Sequence, residues 1–265
     1  KKILFTHREK RIRPGTDTKI LLSWNCLMII ALCKSYAITA DVAILKRAEK
    51  TMEWLMTHLQ SKEQYLFHSY TNGVAKSMAF LEDYATLIQA YIHLQEITGN
   101  LDYLYKAKQW TEYVIANFSD EDHVLFYFTP IYQKDLVVRK KETYDGAQPS
   151  GNALMSYHLI YLGNQFSNTE WSNRGQQMVG SMRKMLLQYP ASFSIWAQSF
   201  MVLAMDFTVL VGIGEETQKA IPELLKPFLP LKMVLFPTKA DPNLTWTQGK
   251  ELFENQYFVC KYGTC

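Results

Sequence analysis

Three short stretches combine carboxylates, hydroxyls, amides and aromatic rings at spacings suited to acid–base work on a polyhydroxylated substrate. The longest is Tyr144-Asp-Gly-Ala-Gln-Pro-Ser-Gly-Asn152. There Pro149 cannot continue a helix, and Ser150 can accept hydrogen bonds from the first free amides of one. The second is Glu82-Asp83-Tyr84, and the third is Trp24-Asn25 with Arg13, Asp17 and Lys19 just ahead of it. Sugar chemistry needs one acid to protonate a leaving oxygen or ring carbon, and a second group to activate water or remove a proton. Asp83 and Asp145 are the expected catalytic pair. Arg13, Asp17, Trp24, Asn25, His68, Glu82, Tyr84, Ser150 and Asn152 are the expected substrate-binding residues. His68 is a second choice for proton transfer, whereas His93 and His158 lie deeper in apolar segments and read as structural. Each residue also has a plainer reading: Glu82 and Asp83 as complements of a helix dipole, Ser150 as a cap, Trp24 as core.

The elements that position these residues alternate in kind. Residues 20–38, 80–97 and 150–166 are apolar on nearly every face, as buried helices are. Residues 42–59, 101–118 and 171–188 carry one apolar stripe and one wet face, and a fourth buried-type helix is expected over 193–205. Short breaks of about three residues join each buried helix to its amphipathic follower. Longer connections, 60–78 and 119–149, lead to the next buried helix. This predicts stacked helical hairpins, mainly α, as in an α/α toroid of the six-hairpin type that is partial here. All long connections then share one end, where the inner helices begin and their free amides carry partial positive charge. A hairpin is expected within 119–149, around 124–128 and 136–139. After residue 206 the texture becomes βαβ, so residues 1–206 read as helical hairpins and 207–265 as a small α/β segment. Gly212-Ile-Gly214 reads as a strand-to-helix turn rather than a nucleotide site.

A formal net charge of +3, from 28 basic and 25 acidic residues, gives no nucleic-acid signature. Residues 20–40 are apolar enough to resemble a membrane span, but Asn25, Lys34 and Ser35 favour an inner helix. Four scattered cysteines suggest a reducing, cytoplasmic setting. Cys26 and Cys33, about 10 Å apart along one helix, are expected reduced and inert. Cys260 and Cys265 are expected as free thiols on a strand, rather than a metal or redox module. No cofactor or metal is expected.

Arg8-Glu-Lys-Arg11, Arg13-Pro14, Asp17-x-Lys19, Ser23-Trp-Asn-x-Leu-Met28, Phe80-Leu-Glu-Asp-Tyr-Ala85 and Asp145-Gly-Ala-x-Pro-Ser-Gly-Asn152 together resemble the YyaL-like family. Tyr257-Phe-Val-Cys260 and Cys265 resemble its closing strand. The chain departs from it at Thr18, where the family has a second Asp, and at Cys26, where it has Gly. The resemblance implies a thioredoxin-like domain ahead of a six-hairpin toroid related to N-acylglucosamine 2-epimerases and glycosidases. It also implies further hairpins upstream, including a His- and Glu-bearing segment of the pocket, so the abrupt charged start reads as that of a fragment. Two functions follow as expectations. One is a carbohydrate-active domain, an epimerase, isomerase or hydrolase acting on a small sugar. The other is a non-catalytic scaffold whose polar face binds a thioredoxin-like domain or another protein.

Overall fold

The computed structural model describes residues 1–134, 137–250 and 255–265. Four inner helices stand side by side: α2 (Leu22–Thr39), α4 (Leu81–Thr98), α6 (Gly151–Gln165) and α8 (Ser194–Met205). Three outer helices, α3 (Val42–Leu59), α5 (Leu101–Phe118) and α7 (Thr169–Gln188), each back onto the inner helix before them. An isolated helix, α1 (Lys2–Glu9), precedes them and buries none of its residues. The chain is therefore mainly α, with the double-layered arrangement of an α/α toroid extending through three and a half hairpins.

Local chemistry explains where the outer helices start. The side chains of Asp41, Asn100 and Asn168 accept amides of the first turns of α3, α5 and α7, at 2.8, 2.9 and 3.0 Å. Gly99 ends α4 in the left-handed conformation at φ 69°, which a residue without Cβ adopts freely.

Burial separates helices that look alike in sequence. Fourteen of the eighteen residues of α4 and thirteen of the fifteen of α6 are buried. In α2, however, only seven of eighteen are buried, and in α8 three of twelve. The expectation that 20–38 is buried all round is corrected: α2 is an inner helix, but it has an inner neighbour on one side only. Among the described residues α2 is the one helix long and apolar enough to cross a membrane; here it packs on α3 and α4.

The loop between α3 and α4 holds a hairpin, β2 (Phe67–Thr71) and β3 (Val74–Met78), with β1 (Ile20–Leu21) added along β2. Asn72 and Gly73 both take positive φ, 49° and 81°, as a two-residue hairpin turn requires. The hairpin expected in the next long loop is absent among its described residues, although residue 136 lies outside them. The Asn-Gly pair was the stronger signal, because it supplies the turn as well as the strands.

After α8, strands β4 (Thr208–Ile213) and β5 (Lys232–Leu235) run parallel, and β6 (Gln256–Cys260) joins β4 antiparallel in the order β5-β4-β6. Two short helices, α9 (Glu215–Lys219) and α10 (Ile221–Leu225), stand where one was expected; Pro222 opens the second. This unit packs against the far end of α4: Gln95 Nε2 donates to the Val234 carbonyl at 3.1 Å, and a Cβ on Gly99 would meet Phe236 O at 2.1 Å. Cys260 and Cys265 form a disulfide, which corrects the expectation of two free thiols. Lys261 and Thr264 exchange main-chain hydrogen bonds around a turn with positive φ at Tyr262 and Gly263, returning Cys265 onto the strand end. Cys26 and Cys33 are free and buried, and burial raises both thiols, Cys33 to about 12.

Candidate active site at the inner-helix starts

At the inner-helix starts, two aspartates perform one task. Asp83, in the first turn of α4, accepts the Phe80 amide on Oδ2 at 2.9 Å and the Ser23 amide on Oδ1 at 3.2 Å. Asp145, ahead of α6, accepts the Ser150 amide on Oδ1 at 3.0 Å and the Ile195 amide on Oδ2 at 2.9 Å. Each carboxylate thus joins the N-cap amide of one inner helix to an orphan first-turn amide of its neighbour, where helix dipoles favour negative charge. Asp83 ties α4 to α2, and Asp145 ties α6 to α8.

Asp83 also receives His68 Nδ1 from β2 at 2.8 Å, and it has no exposed surface. A carboxylate accepts only, so the His68 proton lies on Nδ1 and leaves Nε2 as the reactive nitrogen. This hydrogen bond raises the His68 pKa, against a lowering by burial. The expected catalytic pair thus occupies two different seams, and fully buried Asp83 has no surface with which to touch a ligand.

Glu82 differs from its neighbour. Its carboxyl is partly buried, and its pKa is raised first by burial and then by the charge of Asp83, while a hydrogen bond from Gln148 pulls the other way. Glu142 and His68 also act on it electrostatically. Glu82 and His68 lie together on this face, with Gln148 and Glu142 beside them. Gln148 and Glu142 were not singled out by sequence. Gln148 lies two residues before the Ser150 cap, in a stretch already recognised as site-like. Gly151 lets the two helix starts meet, since a Cβ there would lie 2.9 Å from the Glu82 amide nitrogen.

The other candidates are placed elsewhere or are occupied by the protein itself. Asn152 is a buried clamp: its Oδ1 accepts the Phe126 amide at 2.8 Å, and its Nδ2 donates to the carbonyls of Phe126 and Glu142, each at 2.9 Å. Ser150 Oγ donates to Glu142 O and caps α6. Tyr84 is buried among Trp110, Tyr113 and Phe118, and its hydroxyl accepts the Leu66 amide at 3.0 Å. Burial raises its pKa far above the usual phenol range. Trp24 is exposed on the open side of α2 rather than in the core. Asn25 donates to Leu21 O and borders a different groove, between α2 and α3. Arg13 pairs with Glu9 and Asp17 with Lys19, both in the exposed leader.

His93 and His158 lie within the inner helices. His93 Nδ1 meets Glu96 Oε2 at 3.1 Å, and Tyr161 donates to the other Glu96 oxygen at 3.2 Å. Burial, reinforced by His93, lowers the His158 pKa to about 3, so the ring is neutral at ordinary pH.

No protein-family model matches the chain. Over its whole length it is 26% identical to an uncharacterised protein of Caenorhabditis elegans, of which it spans 38%. Over 84% of its length it is 21% identical to spermatogenesis-associated protein 20 of Mus musculus, of which it spans 30%. The chain thus covers about a third of the curated relatives it matches. Among solved structures, it is similar to a GH76 α-mannanase of Bacteroides thetaiotaomicron with a TM-score of 0.53 and 15% identity. That match covers 64% of this chain and 46% of the mannanase. It is also similar to cellobiose 2-epimerase from Bacillus thermoamylovorans, with a TM-score of 0.51, 12% identity, and 63% and 45% of the two chains covered. These likenesses establish the fold: about half of an α/α toroid of the glycosidase and sugar-epimerase type.

Proposed function

We propose that this chain supplies one half of a carbohydrate-active site in which His68 Nε2 and the Glu82 carboxyl exchange protons with a sugar. The carrying observation is the division of labour between adjacent residues. Asp83 is consumed in orienting His68 and joining α4 to α2, which leaves Glu82 as the acid whose carboxyl no main-chain amide holds among the described residues. A carboxyl with a raised pKa can hold a proton for a leaving or ring oxygen, and an imidazole fixed at Nδ1 can accept or donate at Nε2. Asp83 is then a positioning residue for His68, and Asp145 holds the α6 and α8 starts in register.

The toroid fold and the motif resemblance to YyaL-like proteins support this reading. They also support assigning the chain to the toroid part of a longer protein that carries a thioredoxin-like domain. Sugar binding is tested by saturation-transfer NMR with mannose and cellobiose, beside melting curves of the same samples. Glu82→Gln should abolish the sugar signal at nearly unchanged Tm, because its side chain reaches solvent, and His68→Gln should abolish it with a small loss of Tm, because its partner Asp83 is fully buried. An unchanged signal in both variants, or no signal with the native protein, would reject the assignment.

A further inference from the structure

The inward face of α4 stays polar far below the Glu82 end. Helix α4 is flanked by α2 and α6 and backed by α5, so the face left open is turned toward the axis of the toroid. Four of its eighteen residues are not buried, and all four are polar: Glu82, Gln89, His93 and Thr98. Glu82, Gln89 and His93 follow one another at spacings of seven and four residues, which puts them on one side of the helix. Packing alone would favour apolar side chains there.

Deep on this face His93 repeats the arrangement of His68. Its Nδ1 donates to Glu96 Oε2 at 3.1 Å, as His68 Nδ1 does to Asp83 Oδ2 at 2.8 Å. The two imidazoles are almost equally exposed, 21% and 22%, and each is backed by a buried carboxylate. Tyr161 donates to the other Glu96 oxygen, so Glu96 is held from two sides. His93 Nε2 has no hydrogen-bond partner among the described residues. On α6 the two residues that are not buried are Tyr157 and Asn164. The Tyr157 ring packs on Tyr161 and Phe207, and Glu96 acts on its hydroxyl electrostatically. The starts of α4 and α6 meet at Glu82 and Gly151, so depth can be read along both helices. Glu82 is the second residue of α4, Tyr157 the seventh of α6 and His93 the thirteenth of α4. At a rise of about 1.5 Å per residue, Tyr157 lies about 8 Å and His93 about 16 Å below Glu82.

Resting on the carbohydrate reading above, we infer that the Glu82 and His68 site continues into the toroid as a second subsite, where Tyr157 and His93 Nε2 hold further rings of a neutral oligosaccharide. The depth of the polar face exceeds one sugar ring. Neither helix brings a lysine or arginine to it, and Glu82 and Glu96 would repel an acidic sugar. An aromatic ring beside an open imidazole nitrogen suits the mixed apolar and hydroxyl surface of a pyranose.

NMR titrations with glucose, mannose, cellotetraose and mannotetraose test this on the native chain and two variants. At least one tetrasaccharide should bind at least about tenfold tighter than its own monosaccharide. The His93 ring resonances should move with that tetrasaccharide and not with the monosaccharide. Tyr157→Phe keeps the ring on Tyr161 and Phe207, and should remove most of the tenfold gain at nearly unchanged Tm. His93→Gln should remove it too, since a glutamine amide can still donate to Glu96. Monosaccharides that bind through Glu82 while neither tetrasaccharide binds tighter would overturn the second subsite and leave the Glu82 site standing. A gain that survives both variants would overturn it as well. No binding of any of the four sugars would reject the Glu82 site itself, and the second subsite with it.

Discussion

The α2–α4 seam and the α6–α8 seam are closed by the same device in different surroundings. In both, an aspartate takes an N-cap amide on one oxygen and a first-turn amide of the next inner helix on the other. Asp83 belongs to a helix, has no exposed surface and holds a third donor, His68. Asp145 belongs to a loop and is half-buried. Equal hydrogen bonds need not carry equal energy. Where water can replace a lost acceptor the loss is small, and where it cannot, the stranded donors bear their full desolvation cost.

Three measurements test whether burial separates the two seams. Asp83→Ala has the largest expected effect, a loss of about 3–5 kcal/mol in denaturant unfolding, because two amides and an imidazole lose a buried charged partner. Asp145→Ala should cost about 1–2 kcal/mol, the scale of a lost helix cap that water partly restores. Losses of similar size at the two sites would show that burial does not separate the seams.

The smallest effect concerns pH. His68 has a folded pKa raised by Asp83, so its stabilising contribution is complete below the unfolded value of about 6.5 and is lost as pH rises through the folded value. NMR titration should find its pKa above that of an unfolded-state histidine in the native protein, and lowered in Asp83→Ala. The decline in stability with rising pH should flatten in the same variant. An unchanged His68 titration would separate the imidazole from the Asp83 seam.

Much of the helical frame was legible because its signals are local. Asp41, Asn100, Ser150 and Asn168 announce helix starts by side-chain chemistry, and Gly99 announces an end by backbone freedom. The hairpin turn is also written locally, in the Asn72-Gly73 pair whose residues both take positive φ. The disulfide is not, since a spacing of five residues joins two cysteines only if the chain between them turns back. The polar face of the inner-helix starts was legible from sequence, whereas the hydrogen-bond partners of its residues were not. Ser150, Asn152 and Tyr84 look like ligand-binding groups, yet their polar atoms hold the loop 119–150 and the segment before β2 onto the helices.

The alternation of wholly apolar and one-sided helices is written in the order of residues alone. The half-toroid and the common face of the inner-helix starts follow from that, because periodicity and capping are written within a few neighbouring residues. The tertiary structure decided which carboxylate is consumed and which is left. Glu82 and Asp83 are adjacent in sequence, but successive residues of a helix point about 100° apart, and only one of these two meets an amide sixty residues away. It also decided that α2 is bare on one side while α4 is buried on nearly all of its faces. Burial is a property of neighbours, and those neighbours come from distant parts of the chain.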